Sequence, residues 1–236
     1  MAAGGAFATA APVLGCLPTF VQPSEPLHMT HPNQTPIPEL YVSPEAAAAL
    51  KDEAGHMPSW DLTQRQICDL ELLMNGGFNP LKGFMTRADY DGVVSEMRLA
   101  SGALWPMPIN LDVSEAFAEG LEPGTDIALR DQEGVILAIM SVTDKWRPNK
   151  AREAKEVFGA DDLAHPAVNY LHNVAGPVYL GGPIKGLQAP THYDFRGRRN
   201  TPNELRTMFK KLNWRRVVVF QTRNPLHRAH QELTFR

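Results

Sequence analysis

Near the C-terminal end, Arg215-Arg216 is followed by Val217-Val218-Val219-Phe220, an unbroken apolar run of mostly β-branched residues. Such a run has no polar face, so it suits a strand covered on both sides, as in a parallel sheet flanked by helices. Directly after it stands Gln221-Thr222-Arg223-Asn224-Pro225-Leu226-His227-Arg228-Ala229-His230. This reads as a Pro-containing turn leading into the first turn of a helix. In open α/β sheets ligands bind outside the carboxyl ends of strands, and a helix N-terminus there presents free N–H groups to an anion.

The charge pattern points to the same place. Residues 1–50 have no Lys or Arg and three Glu. Residues 51–195 carry 12 basic and 21 acidic side chains, and residues 196–236 carry 11 basic against only Glu204 and Glu232. The net charge of −3 therefore conceals an acidic body joined to a +9 segment. A basic block of that kind fits an anionic partner such as phosphate, sulfate, nucleotide or nucleic acid, although a solvated basic face reads the same way.

The local chemistry narrows these options. On a helix His227 and His230, three apart, share a face. Gln221 and Arg223 alternate at the strand end, and Arg223 offers a planar fork for a tetrahedral oxyanion. No carboxylate stands among these groups, so together they form an anion cradle. His-x-x-His lacks the spacing and glutamate of a zinc-protease helix, and no Cys or acidic ligand is near, so no protein-bound metal is expected. Trp214, Phe220 and Phe209 read as core, which leaves few aromatics for an RNA surface.

Upstream, residues 40–195 read as mixed α+β with mostly antiparallel strands. Thr63–Gln66 is a capping box that opens a helix with Ile67, Leu70, Leu73 and Met74 at helical spacing and Gly76-Gly77 as its stop. Cys68 falls inside that helix and reads as a small core residue. Thr86 opens a second helix with Tyr90, Val93, Val94 and Met97 on one side. Met107, Ile109, Leu111 and Val113 alternate as a half-buried strand. Asp126–Arg130 and Val135–Thr143 bracket Asp131-Gln132-Glu133-Gly134 as a hairpin. Asn149–Phe158 reads as a helix closed by Gly159, and Val178–Leu180 and Ile184–Leu187 as two short strands. Thr201-Pro202-Asn203-Glu204 caps a helix whose apolar side is Leu205, Met208, Phe209 and Leu212.

The first 38 residues read as a disordered Ala/Pro-rich leader, with eight of the chain's 20 prolines before residue 45. The apolar run from Ala6 to Leu17 has no preceding basic residue, as a signal peptide requires, and no stretch is long enough to span a membrane. Two cysteines, Cys16 and Cys68, cannot build a disulfide framework, so a reducing, cytoplasmic setting is expected.

The motif at residues 221–230 resembles the signature of the ATP sulfurylase (sulfate adenylyltransferase) family. Asn75-Gly76-Gly77-Phe78-Asn79-Pro80-Leu81-Lys82-Gly83-Phe84-Met85 is similar to the family's N-terminal motif. Leu104-Trp105-Pro106-Met107-Pro108-Ile109, Ala164-His165-Pro166, His192-Tyr193-Asp194-Phe195 and Thr201-Pro202 add further similar stretches.

The resemblance covers about residues 38–236. It implies a PUA-like β-barrel domain over 39–195 and the incomplete start of a Rossmann-like nucleotidyltransferase domain over 196–236. The implied reaction moves AMP from MgATP to sulfate, giving adenosine 5′-phosphosulfate and pyrophosphate. The resemblance also implies that Gln221 and Arg223 hold sulfate, that Gln221, Asn224, Leu226, His227 and His230 contact the nucleotide, and that Arg223, Asn224, His227 and His230 carry catalysis. It places Leu226 on a mobile loop.

Mg2+ would enter only as MgATP, the partners would be ATP and sulfate without nucleic acid or membrane, and the full-length protein would be a homo-oligomer. The family pattern continues downstream with a Gly-Arg-Asp-His-Ala-Gly stretch that residues 1–236 lack, which implies that these residues alone are inactive. The competing reading is a non-catalytic anion- or nucleic-acid-binding module on the PUA-like architecture. Against its nucleic-acid form stands the −9 of residues 51–195, the wrong sign for a phosphate backbone.

Overall fold

The computed structural model describes residues 35–235, so most of the expected leader, and Cys16 with it, lies outside the described residues. In chain order the elements are α1 (Pro44–Ala54), β1 (Ser59–Asp61), α2 (Gln64–Met74), β2 (Gly83–Phe84), α3 (Arg87–Glu96), β3 (Leu111–Val113), α4 (Glu115–Glu119) and β4 (Asp126–Arg130). Then come β5 (Ile136–Ser141), β6 (Asp144–Trp146), α5 (Lys150–Phe158), α6 (Pro166–Asn173), β7 (Val178–Gly186), α7 (Pro202–Lys211) and α8 (Arg228–Phe235).

The seven strands form one curled sheet in the order β1-β4-β5-β7-β2, with β3 and β6 also paired to β7. All pairings are antiparallel except β1 with β4. Strand β7 organises the whole. Its first half, through Gly181, pairs β3 and β6, and its second half, from Gly182, pairs β2 and β5. The change of partners falls on Gly181-Gly182, where a Cβ on the first would overlap the Met85 carbonyl and a Cβ on the second the Ser141 carbonyl. Gly182 also has φ 152°, a conformation that side chains rarely adopt. The sequence reading split this segment into two strands because glycine punctuates strands. Here the pair sits inside one continuous strand, allowing close backbone approach.

The principal core lies inside the curl. It includes Leu70, Leu73 and Met74 from α2 with Phe84, Leu111, Ile127, Leu129, Leu137 and Leu180 from the strands, all almost fully buried. Helix α2 begins as expected, with the Thr63–Gln66 capping box in place. Gln66 continues inward, and its Nε2 donates to the Asp112 carbonyl at 2.7 Å. Asp131-Gln132-Glu133-Gly134 makes the expected turn, Asp131 Oδ1 accepting from the Glu133 and Val135 N–H groups and Gly134 adopting φ 83°. Helix α5 is capped by the Asn149 side chain and closed by Gly159 in the left-handed conformation.

Several expectations need correction. Cys68 is exposed, because the buried face of α2 is set by Ile67, Leu70, Leu73 and Met74, and one residue is a 100° step around the helix. Met97 is the left-handed C-cap of α3 and 55% exposed, beyond the helical face that buries Tyr90, Val93 and Val94. The alternating run ahead of β3 is not half-buried. Met107 is exposed, while Asn110 and Asp112 are as buried as Ile109, Leu111 and Val113, since both sides of this segment are covered.

Helix α7 has its capping box, but none of its residues is fully buried, and Met208 and Leu212 remain exposed. Residues 215–220 form no strand, and Val218 and Val219 are 94% and 83% exposed. A strand needs a ladder partner for its N–H and C=O groups, and among the described residues none lies beside them. Trp214, read as core, is half exposed and stacks on Phe209 with ring centroids 5.9 Å apart.

Candidate active site

The turn from Gln221 to His230 is organised by its own backbone and by the start of α8. Thr222 Oγ1 accepts from the Asn224 N–H at 3.1 Å and donates to the Asn224 carbonyl at 3.1 Å, an ST-type turn that folds the chain ahead of Pro225. His227 precedes the helix, and its carbonyl accepts from the N–H groups of His230 and Gln231. The Nδ1 of His230 accepts from the His227 N–H at 3.1 Å, so this imidazole serves as a local cap. The two imidazoles are brought together, 5.6 Å between centroids. Phe220, read as core, instead lies beside the His230 ring at 5.6 Å.

His230 is half-buried. Gln221, Arg223, Asn224, Leu226 and His227 are exposed, and among the described residues no hydrogen bond joins Gln221 or Arg223 to the histidines. Along this stretch guanidinium, amide and imidazole donors follow one another into the start of α8, a set suited to oxyanions. Among the described residues no group of three or more His, Cys, Asp or Glu could hold a metal ion, and no helix is long and apolar enough to cross a membrane.

The segment leading to this turn is tied to the sheet domain. His192 Nε2 meets both carboxylate oxygens of Glu71 on α2, at 2.8 and 3.0 Å, and the Tyr193 hydroxyl donates to Glu133. Asn203 on α7 accepts from the Ile37 N–H at 2.8 Å and donates to the Ile37 carbonyl at 3.0 Å. His192 and Tyr193 were noticed in the sequence only as part of a resembling stretch, and nothing in their spacing signals that they dock on α2 and the β4–β5 turn.

Comparison with known proteins decides the family of the larger part. Residues 30–189 match the PUA-like domain. The chain belongs to the PUA-like domain family. Residues 196–236 match the ATP-sulfurylase family, and this region contains the 221–230 turn. The chain is similar to the sulfate adenylyltransferase of Mycosarcoma maydis, 53% identical over 193 residues, covering 80% of this chain and 34% of that protein. It is also similar to the sulfate adenylyltransferase of Saccharomyces cerevisiae, 54% identical over 177 residues, covering 75% of this chain and 34% of that protein. Among solved structures it resembles a hexameric APS kinase from Thiobacillus denitrificans, with TM-score 0.68 and 37% identity over 84% of this chain and 35% of that one. The chain thus spans about a third of the length of the curated relatives it matches. The curled sheet around β7 is the PUA-like domain of this protein, and the segment that carries Gln221–His230 follows it.

Proposed function

We propose that this chain supplies the PUA-like domain and the anion-binding turn of a sulfate adenylyltransferase, which transfers AMP from MgATP to sulfate. The observation that carries the reading is the cluster of donors at residues 221–230, in a region matching the ATP-sulfurylase family and attached to a domain similar to those of sulfate adenylyltransferases. In the reaction a sulfate oxygen attacks the α-phosphorus in line. A new P–O bond forms, the bond from the α-phosphorus to the bridging oxygen breaks, and pyrophosphate leaves with that oxygen. Sulfate is already fully ionised, so no proton is abstracted and neither histidine is needed as a base.

Gln221 and Arg223 hold the sulfate. Asn224 positions the nucleotide near the α-phosphate, and Leu226 belongs to the loop that covers it. His227 and His230 bind the ATP phosphates and stabilise charge that builds toward pyrophosphate. Two polyanions must be brought together, so positioning and electrostatic stabilisation are the main levers. Mg2+ arrives with ATP as part of the substrate. In the complete catalytic domain Val217–Phe220 become a strand of a Rossmann-like sheet, whose neighbours satisfy their backbone groups.

The setting is the cytoplasm, and the partners are small molecules. A homo-oligomeric assembly is supported by the similar solved structure, a hexameric APS kinase.

The test is molybdate-dependent pyrophosphate release from ATP by the full-length protein that carries this chain. Arg223→Ala and His230→Ala should each lower turnover by about two to three orders of magnitude, as for loss of a charge-stabilising donor, while far-UV circular dichroism is unchanged. Wild-type turnover in both variants would refute the reading.

A further inference from the structure

A cavity of about 320 Å3 lies in the PUA-like domain between α2, α5, α6 and β7, and no residue of the 221–230 turn lines it. That volume is at the lower end of the range for small-molecule sites. Its walls include Phe158 and Leu171, the rings of Tyr170 and Tyr179, and a polar floor of Asn110 and Glu153.

The floor holds an unmet hydrogen-bonding demand. Asn110 is 6% exposed, and its Oδ1 has no partner. Buried amides are almost always paired, so an orphan one calls for a specific reason. The protein has no obvious donor to give it. The nearby guanidinium of Arg65 is engaged by Asp69 at 2.6 Å, by Asp112, and by the Tyr170 hydroxyl at 3.0 Å. Gln66 Nε2 is engaged by Asp112. Glu153 is 5% exposed, and its Oε2 accepts from Tyr90 at 2.8 Å and Tyr179 at 3.2 Å, leaving the other carboxyl oxygen for a ligand. Burial pushes this carboxyl above its ordinary range, toward the neutral form that both donates and accepts.

The charge around the cavity selects against anions. Arg65, the cation in its lining, is already shared by the carboxylates of Asp69 and Asp112, and Asp112 and Glu153 themselves line the cavity. A phosphate or carboxylate would therefore meet two carboxyl groups and no unshared cation among the lining residues. Aromatic and aliphatic walls around an amide–carboxyl floor favour a flat, neutral molecule, and the Asn side chain is a known bidentate match to the edge of adenine.

We propose that this cavity binds a neutral planar heterocycle with adjacent donor and acceptor atoms, of the nucleobase class, its polar edge on Asn110 and Glu153 and its faces against Phe158 and Tyr170. The site is independent of the adenylyl-transfer reading and stands or falls separately.

The experiment is a titration of the 236-residue chain with adenine, nicotinamide and AMP, followed by amide chemical shifts and calorimetry. Adenine or nicotinamide should bind saturably in the millimolar range or tighter and shift resonances of β3 and α6. AMP should bind no more tightly than adenine. Asn110→Ala should weaken binding about tenfold, the loss of one or two hydrogen bonds. Ala167→Phe, which fills the cavity from α6 and leaves Asn110 in place, should abolish it, so either folded variant is informative. Three outcomes would overturn the proposal: no saturable binding with only water in the cavity, AMP binding far more tightly than adenine, or wild-type affinity in both variants.

Discussion

Replacing Asp112 with alanine tests how the PUA-like domain is held together. Its carboxylate, 7% exposed, accepts from Arg65 Nη2, from Gln66 Nε2 at 3.0 Å and from the Gly176 N–H at 2.7 Å, joining α2, β3 and the segment that leads into β7. After truncation Gln66 keeps the Asp112 carbonyl at 2.7 Å and Arg65 keeps Asp69 at 2.6 Å, so neither is orphaned. What is lost is the charge-assisted bond to Arg65, about 1.5–3 kcal/mol, and a partner for the Gly176 N–H, while Gln66 loses the second of its two acceptors. The second loss is about 1 kcal/mol, because Gly176 is only half-buried and water can reach it. The partial exposure of Arg65 keeps the sum near the lower end, about 3 kcal/mol. For a domain of this size that is roughly 6–12 °C in Tm. Asp112→Asn, which keeps an acceptor but not the charge, should cost about half as much. Urea unfolding followed by tryptophan fluorescence gives both numbers. A loss below about 1 kcal/mol in Asp112→Ala, or equal losses in the two variants, would refute this account of the network.

The same network predicts a pH effect. Burial pushes the Asp69 carboxyl from 3.8 to about 6, with Asp112 adding to the rise and Arg65 opposing it. The native state therefore holds this proton to higher pH than the unfolded chain. The stability it contributes is complete below about pH 4 and is lost as pH rises through about 6. Unfolding free energies from urea titrations across that window should fall on the order of 2 kcal/mol more for wild type than for Asp69→Asn, and parallel profiles would contradict the assignment. Thr63→Ala removes the side chain that caps α2 at the Gln66 N–H and should cost about 1 kcal/mol, read from the same titrations; no loss would mean that the capping box adds nothing here. In hydrogen exchange of this chain, the amides of Val217–Phe220 should exchange at nearly unprotected rates while Ile127–Leu129 and Leu137–Met140 are the slowest, since only the latter are laddered and buried. Slow exchange at Val217–Phe220 would mean that a partner covers them.

What the sequence disclosed was what local chemistry writes down. The capping boxes at Thr63 and Thr201, the Asp131–Gly134 turn and the Asn149-to-Gly159 frame of α5 each depend on residues a few positions apart. Helix α1 was not read, because Ala46–Ala49 give no apolar periodicity and Ser43-Pro44 alone mark its start. Helix α6 was also missed as an element, since His165 provides no side-chain cap and only Pro166 signals the first turn. The half-buried reading of Met107, Ile109, Leu111 and Val113 rests on alternation, whereas Arg65, Gln66 and the neighbouring helices cover the intervening Asn110 and Asp112 from positions far away in the chain. The residues of the 221–230 turn were legible because they are consecutive. The burial of Val217–Phe220 was read from composition alone, and composition cannot supply the neighbouring strands on which it depends.

The central claim is that Gln221–His230 is the anion site of adenylyl transfer, and a separation of Michaelis constants tests it most directly. In the full-length protein, initial rates of pyrophosphate release are measured with sulfate varied at saturating MgATP, then with MgATP varied at saturating sulfate. Arg223→Lys, which keeps the charge but loses the fork, should raise the KM for sulfate by about tenfold or more and leave that for ATP nearly unchanged. His230→Ala should instead lower kcat, with a smaller effect on the KM for sulfate. Unchanged sulfate KM in Arg223→Lys together with unchanged kcat in His230→Ala would contradict the account.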